Sequence, residues 1–253
     1  MDKGIDLDID LSFGEDDEEN ELDLDFDLDD FSFEMDEEET VRIMKPRMPK
    51  TACHHKVKFD NALKLAESLD MSPGARTTCI VPGNFIMGDL LEALVLDRKM
   101  DIKNIYINTL SMSQENIDSL RTILDFRPRL EKMNVLLSAY FYSHEKYNLV
   151  KYMYDELDIN NRLQVSFMRT HCKIYLLETH KGNKYVISGS ANLRSSANIE
   201  QFEVENNPEL FEFYKTMFDS ILEKYPTINY KVANTVKGVK AWQAVAQAGE
   251  AAK

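Results

Sequence analysis

Residues 170–203 read THCKIYLLETHKGNKYVISGSANLRSSANIEQFE, and this stretch decides the fold. Two runs rich in β-branched and aromatic residues flank a Gly182-Asn183 pair, a pattern that predicts a β-hairpin. On an extended strand, His171 and Lys173 project from one face because they are two residues apart, and Cys172 points the other way. The stretch therefore predicts strands that carry polar side chains in pairs.

The side chains of these pairs suit a phosphate group. An imidazole beside a fixed ammonium can supply a nucleophile or a proton donor together with a positive charge. After the hairpin, Ser190 and Asn192 again share a face and offer uncharged donors to phosphate oxygens. Gly189 lets the backbone approach a ligand closely. We therefore take these five residues as a candidate site.

The order of these residues resembles the HKD motif of the phospholipase D superfamily. In that family His-x-Lys is followed by four residues and Asp, and then by Gly-Ser-x-Asn. This chain has Glu178 in place of the Asp, facing away from the His and Lys on a regular strand, and its spacing to the glycine is about four residues longer. Both departures leave the chemical residues intact and fit a longer hairpin. NIEQFE is similar to the family's Asn-x-Glu element, which makes Glu200 the expected orienting carboxylate, with Glu203 as its competitor.

The resemblance implies a mechanism and a dimer. It assigns His171, Lys173, Ser190, Asn192 and Glu200 to catalysis by way of a phosphohistidine, with no metal and no cofactor. Because one motif is present, the resemblance favours a homodimer that assembles one site across a twofold axis. Gly189, Arg194 and Lys184 are candidates for substrate binding. Lys181 and Arg169 are weaker candidates that solvated surface charge explains equally well, and His144 is better explained as a hydrogen-bonded surface histidine.

Helical and strand patterns alternate through the rest of the body. Helices are predicted from KFDNALKLAESLDM, MGDLLEALVLDRK, SQENIDSLRTILDF, EKYNLVKYMYDEL and NPELFEFYKTMFDSILEKY. Strands are predicted from TTCIVPG, IKNIYINTL, MNVLLSAYFY, the long run LQVSFMRTHCKIYLLE, KYVISGS and QFEVEN. The expected fold class is α/β, a phospholipase D-like sandwich with a mostly parallel central sheet flanked by helices on both faces.

Charge divides the chain into a mildly basic body and an acidic arm. Residues 1–41 hold 20 Asp and Glu against the single Lys3, a net charge of −19, while the remainder holds 24 acidic and 29 basic residues. Acidic and apolar residues alternate in the arm, which predicts disorder in isolation. The expected division is an arm at 1–41, a basic linker at 42–56, a phospholipase D-like domain at 57–230 and a tail at 231–253.

Composition also limits location and partners. With three cysteines, no apolar run of membrane-spanning length and an acidic N-terminus, we expect a soluble cytoplasmic protein without structural disulfides. A basic body favours nucleic acid, DNA or RNA, as the substrate, and no membrane. Cys53-His54-His55 is a weak metal signal, so no metal site is expected.

The function remains open between two classes. The first is a metal-independent phosphodiesterase or nuclease whose arm regulates access to the site. The second is a catalytically silent scaffold or nucleic-acid-binding protein whose acidic and apolar arm docks a protein partner.

Overall fold

The computed structural model describes most of the body of the chain. It covers residues 61–82, 85–194, 198–227 and 229–231, positions 237, 240 and 243, and the backbone of 53–57. The predicted arm at 1–41, most of the predicted linker and most of the predicted tail lie outside the described residues. So do the side chains of the Cys53-His54-His55 signal, and the division into four segments stays a prediction.

The described chain alternates strands with helices and ends in a hairpin, a further strand and a long helix. The elements are β1 Cys53–Val57, α1 Ala62–Ser68, β2 Arg76–Val81, α2 Met87–Leu96, β3 Ile102–Thr109, α3 Gln114–Phe126, β4 Lys132–Ser138, α4 Ala139–Glu145, α5 Leu149–Leu157, β5 Leu163–Met168, β6 Ile174–Thr179, β7 Lys184–Gly189, β8 Glu200–Asn206 and α6 Pro208–Lys224. Four of the five residues of β1 fall within the predicted linker, so the sheet begins before residue 57.

The described strands form one eight-stranded sheet in the order β1-β2-β8-β7-β6-β3-β4-β5. The expectation of a mostly parallel sheet is wrong. Three neighbouring pairs are parallel (β1-β2, β3-β4 and β4-β5), and four are antiparallel (β2-β8, β8-β7, β7-β6 and β6-β3). The reason lies in the connections, because a parallel pair needs a long crossover and no helix separates β6, β7 and β8.

Helices cover both faces of the sheet, as the sequence predicts. Alternate residues of each central strand enter different cores: in β6, Tyr175 and Leu177 pack in the larger core with α1, α2, α3 and α5. Leu176 packs in the smaller core with Phe211 and Phe218 of α6. This alternation follows from the two-residue period of a strand. The fold is therefore a mixed α/β sandwich.

The predicted long strand over residues 163–178 is two strands. β5 ends at Met168 at one margin of the sheet, and β6 starts at Ile174 three positions away, with β4 and β3 between them. Residues 169–173 cross the ends of those strands, so His171 and Lys173 lie on a loop rather than on a strand. Periodicity could not reveal the break, because the apolar pattern resumes immediately after it.

The predicted strand MNVLLSAYFY is also shorter than expected. β4 ends at Ser138, whose Oγ accepts a hydrogen bond from Phe141 N at 3.0 Å and so caps α4. The same hydroxyl donates to Leu110 O at 2.6 Å. Ser138 is hydrogen-bonded both to the loop after β3 and to the first turn of α4. The residues AYFY therefore form a helix instead of continuing the strand.

One edge of the sheet collects the ends of most strands, and we call it the carboxyl edge. There β2, β3, β4, β5 and β7 end while β6 and β8 begin, as the paired registers require. Ligands bind at such edges of open α/β sheets because loops converge there. Among the described helices, none is long and apolar enough to cross a membrane.

Candidate active site

His171 and Lys173 lie together at the start of β6. The Lys173 ammonium is 2.9 Å from His171 Nδ1 and donates to His171 O at 2.9 Å. The imidazole is exposed, while Lys173 is only 8% accessible. The loop thus presents a ring to solvent and fixes a buried positive charge beneath it.

The hydrogen bond between the two side chains determines which nitrogen of the ring carries a proton. An ammonium has no lone pair, so a charged Lys173 requires Nδ1 to accept, and a neutral ring then carries its proton on Nε2. Nucleophilic attack by Nε2 requires the proton on Nδ1 instead, held by another acceptor. Protonation of a leaving oxygen requires an imidazolium with a proton on each nitrogen. Both roles therefore require Nδ1 to exchange the Lys173 ammonium for an acceptor.

Burial lowers the pKa of Lys173 below the usual value for lysine, and the Glu200 carboxylate opposes this effect by stabilising the charge. Lys173 directly precedes β6 and Glu200 is the first residue of β8, and both strands begin at the carboxyl edge. Lys173 thus interacts with the His171 ring by a hydrogen bond and with the Glu200 carboxylate by charge.

Ser190 connects this group to β8. Its hydroxyl donates to the Glu200 carboxylate and accepts from Gln201 N at 3.0 Å, and its own N–H donates to Gln201 O at 2.8 Å. The single hydroxyl proton is therefore used on Glu200. Glu203, the competing carboxylate, pairs with Arg76 on β2 instead. The structure thus brings Glu200, and not Glu203, to the candidate site.

Asn192 is held by the end of β3. Its Oδ1 accepts from Leu110 N at 3.2 Å and from Thr109 Oγ1 at 3.4 Å, and Thr109 Oγ1 in turn accepts from Leu193 N at 3.1 Å. The amide oxygen is thereby occupied, which points the NH2 group away from the backbone as a donor. Tyr175 OH donates to Ala191 O at 2.7 Å and fixes the same loop from below.

Two hydrogen bonds that the motif does not predict hold the loop that carries His171. Thr170 Oγ1 donates to Asn108 Oδ1 at 3.1 Å and accepts from Cys172 N at 3.2 Å. Asn108 is fully buried at the end of β3. Successive residues Asn108 and Thr109 therefore anchor both loops of the site, which the polar Asn-Thr ending an apolar strand could have indicated.

Gly189 has a structural reason to be glycine. A Cβ at this position would lie 2.1 Å from Gln201 O and 2.5 Å from Phe202 Cα on β8. The backbones of β7 and β8 approach too closely for any side chain. The close approach that the sequence predicts is thus made by a neighbouring strand, and a contact with substrate remains a prediction.

The other predicted residues divide between two ends of the sheet. Arg169 and Arg194 are exposed beside the site loops. Lys184 begins β7 at the opposite end from Gly189 and pairs with Glu212 of α6, so the structure does not bring it to the site, contrary to the sequence analysis. Lys181 lies in the same remote hairpin turn. The extra residues of the motif lengthen this hairpin, as expected.

The carboxylate that replaces the motif's aspartate also lies away from the site. Glu178 accepts from Asn104 Nδ2 at 2.7 Å, within the β3-β6 pair. His144, a weaker candidate, is exposed on α4, with Nδ1 2.9 Å from Tyr140 O. Among the described side chains, no group of three or more His, Cys, Asp and Glu is arranged to hold a metal ion.

No protein-family model and no curated protein match the chain. Solved structures do match it. Nuc from Salmonella typhimurium, a phospholipase D family member, has 16% identity and a TM-score of 0.43 over 57% of this chain and 91% of its own. Yeast tyrosyl-DNA phosphodiesterase has 8% identity and a TM-score of 0.29 over 41% of this chain. This chain spans only 25% of that enzyme's length.

A third solved structure is that of TrmBL2, an archaeal chromatin protein with a novel mode of DNA binding. It has 16% identity and a TM-score of 0.37 over 64% of this chain and 58% of its own. Nuc and tyrosyl-DNA phosphodiesterase are members of the phospholipase D superfamily, the same superfamily that the sequence motif of this chain resembles.

Proposed function

We propose that the chain is a metal-independent phosphodiesterase of the phospholipase D type, acting on DNA or RNA. The observation that carries the proposal is the exposed His171 ring hydrogen-bonded to the buried Lys173 ammonium, with Glu200, Ser190 and Asn192 at the same edge of the sheet. A nucleophile, a fixed cation and an oriented amide donor are the parts that phosphoryl transfer requires.

The proposed reaction has two displacement steps. His171 Nε2 attacks phosphorus, forming an N–P bond while the bond from phosphorus to the leaving oxygen breaks. The leaving oxygen takes a proton from His171 of the partner subunit in a homodimer. Water then attacks the phosphohistidine, gives its proton to the same partner histidine and releases the phosphate monoester. Both Lys173 ammonium groups and the Asn192 amide stabilise the charge on the nonbridging oxygens.

Nucleic acid is the proposed substrate class because of the charges that surround the site. Arg169 and Arg194 are exposed on the two loops of the site, and the chain beyond residue 41 carries a net positive charge. Such a surface binds a polyanion regardless of base sequence. The acidic arm at 1–41 is a competing polyanion, and we propose that it lowers the affinity of the site for nucleic acid.

Cleavage of labelled DNA and RNA in EDTA tests the proposal. The comparison uses the intact chain, a form that lacks residues 1–41, and His171→Ala. We expect EDTA-resistant cleavage that falls by at least about a thousandfold in His171→Ala, because a displacement at phosphorus without its nucleophile loses the covalent pathway. Unchanged cleavage in that variant would overturn the proposal.

Removal of the arm tests the regulatory part separately. We expect tighter binding of nucleic acid without residues 1–41, and a smaller gain at high salt because salt screens charge repulsion. Equal affinities of the two forms at low salt would overturn this part. No cleavage by any form would instead favour the alternative of a silent scaffold that uses its arm to bind a protein.

A further inference from the structure

A group of aromatic residues on α4 is exposed at the same edge of the sheet as the candidate site. Tyr140 is 48% accessible and Tyr147, in the turn after the helix, is 77% accessible. The Tyr140 and His144 rings stack with centroids 4.0 Å apart and planes inclined by 31°. Lys146 lies 5.4 Å from the centroid of the Tyr147 ring. We call these four residues the α4 platform.

The α4 platform is connected to the candidate site through one residue of the β3-α3 loop. Leu110 N donates to Asn192 Oδ1 at 3.2 Å, while Leu110 O accepts from Ser138 Oγ at 2.6 Å. Ser138 caps α4, and Tyr140 follows it by two residues. The side-chain amide of Asn192 and the serine that caps the platform helix thus bind the backbone N–H and C=O of the same residue.

The path of the chain around His171 independently places the start of α4 near the candidate site. Ser138 on β4 pairs in register with Met168 on β5, three residues before His171. From there the loop crosses β4 and β3 to reach β6. Since neighbouring strands are about 4.8 Å apart, α4 begins roughly 10 Å across the sheet from the start of β6. A chain of nucleotides in the site passes within reach of the platform.

The surface chemistry of the platform suits a nucleobase. Every base has an apolar face that stacks on aromatic rings, and an adjacent cation strengthens the contact and attracts phosphate. The platform offers two exposed tyrosine rings, an imidazole already stacked and the Lys146 ammonium. The one carboxylate in the same turn, Glu145, accepts from Asn148 Nδ2 at 3.1 Å.

We propose that the α4 platform stacks unpaired bases of single-stranded nucleic acid whose phosphate lies at His171. The inference rests on the proposed function, because it takes the edge site as a phosphodiester site. It specifies the substrate as a strand with exposed bases rather than a duplex, whose bases are stacked on one another and present only their edges.

Binding of defined strands to the full-length chain tests the inference. All proteins carry His171→Ala, so that cleavage does not interfere. The probes are a labelled oligothymidylate of about twelve nucleotides, an abasic strand of equal length and phosphate number, and the corresponding duplex. Fluorescence anisotropy gives each Kd. We expect the oligothymidylate to bind about tenfold or more tightly than the abasic strand, as one or two stacked bases require.

Matched variants locate the preference. Tyr140→Leu and Tyr147→Leu should each weaken binding of the oligothymidylate several-fold to tenfold and leave the abasic strand unchanged, whereas Tyr140→Phe should retain the wild-type preference. Phe126→Leu is the control, since Phe126 is 66% accessible at the end of α3, away from the carboxyl edge. It should change nothing.

Each result has a definite consequence. Equal affinity for oligothymidylate and abasic strand, an equal loss for both in Tyr140→Leu, or tighter binding of the duplex would overturn the platform. If the wild type cleaves nucleic acid but the protein shows no preference for strands with bases, the proposed function stands and the role of the platform is rejected. Base-dependent binding without cleavage by the wild type leaves the platform and removes the proposed catalysis.

Discussion

At the scale of single residues, Thr170 shows how a side chain outside the motif controls it. Thr170 precedes His171 in the chain, and its hydroxyl donates to the buried Asn108 side chain. The same hydroxyl accepts from the backbone N–H of Cys172, which follows His171. A loop residue that is held from both sides has fewer accessible positions for its imidazole. Thr170 therefore acts as a positioning residue for the proposed nucleophile.

Thr170→Val keeps the shape of the side chain and removes both hydrogen bonds. We expect kcat to fall roughly ten- to hundredfold with little change in KM, because misplacement of a reacting group affects the transition state more than binding. Thr170→Ser should restore most of the rate. Steady-state kinetics on a labelled oligonucleotide measures both constants. Thr122→Val, on the exposed face of α3, is the control. A Thr170→Val enzyme with unchanged kcat would contradict the role.

The charge of Lys173 lowers the stability of the fold, whereas the proposed catalysis requires it. Burial lowers its pKa in the folded protein, so between that lowered pKa and the ordinary value of about 10.4 the unfolded chain binds more protons. The free energy of unfolding therefore rises with pH through this window. Below the window, the cost of the buried charge is present in full.

Lys173→Met removes both the charge and its cost. At neutral pH we expect a Tm no lower than that of the wild type, and cleavage reduced by about a hundred- to thousandfold through loss of the cation. Thermal unfolding at pH 7 and near pH 10 checks the sign, because any gain in Tm over the wild type should shrink as the wild-type ammonium loses its proton. A large drop in Tm at neutral pH would show that the ammonium stabilises the fold.

At the scale of elements, β7 and β8 approach each other so closely at Gly189 that there is no space for a side chain at this position. A methyl group at Gly189 meets the Gln201 carbonyl and the Phe202 Cα. The two strands hold Ser190 and Glu200, which are joined by a hydrogen bond directly beyond this contact. Strand spacing at this point thus controls the geometry of the site.

Gly189→Ala should lower the free energy of unfolding by about 3 kcal/mol, since overpacked backbone can relieve the clash only by separating the strands. Urea denaturation gives the value. Gly182→Ala is a matched control in the hairpin turn, where φ is +85° and nothing lies within 4 Å of an added Cβ. Its cost comes from backbone strain alone and should be about 1 kcal/mol. Equal losses in the two variants would contradict the close approach at Gly189.

At the scale of the whole molecule, the proposed dimer predicts how subunits share activity. If one reaction needs His171 from both subunits, an exchanged equimolar mixture of wild-type and His171→Ala chains should retain about one quarter of the wild-type activity, since only the wild-type homodimer is complete. Independent subunits would retain about one half. Sedimentation equilibrium on the same mixture establishes the oligomeric state, and a monomer would overturn the shared site.

The sequence by itself determined the local features of this protein. The α/β class and the five predicted helices follow from apolar periodicity, which acts over a few residues. The β6-β7 hairpin, which the Gly182-Asn183 turn predicts, follows equally from short spacings.

Tertiary structure alone decided the features that depend on distant residues. The break between β5 and β6 and the different surroundings of Glu200 and Glu203 arise from strand order, because Arg76 on β2 pairs with Glu203 and Ser190, directly after β7, binds Glu200. The anchoring of both site loops by the end of β3 joins residues more than 60 positions apart. Periodicity describes which face of an element is apolar, whereas only packing selects its neighbours.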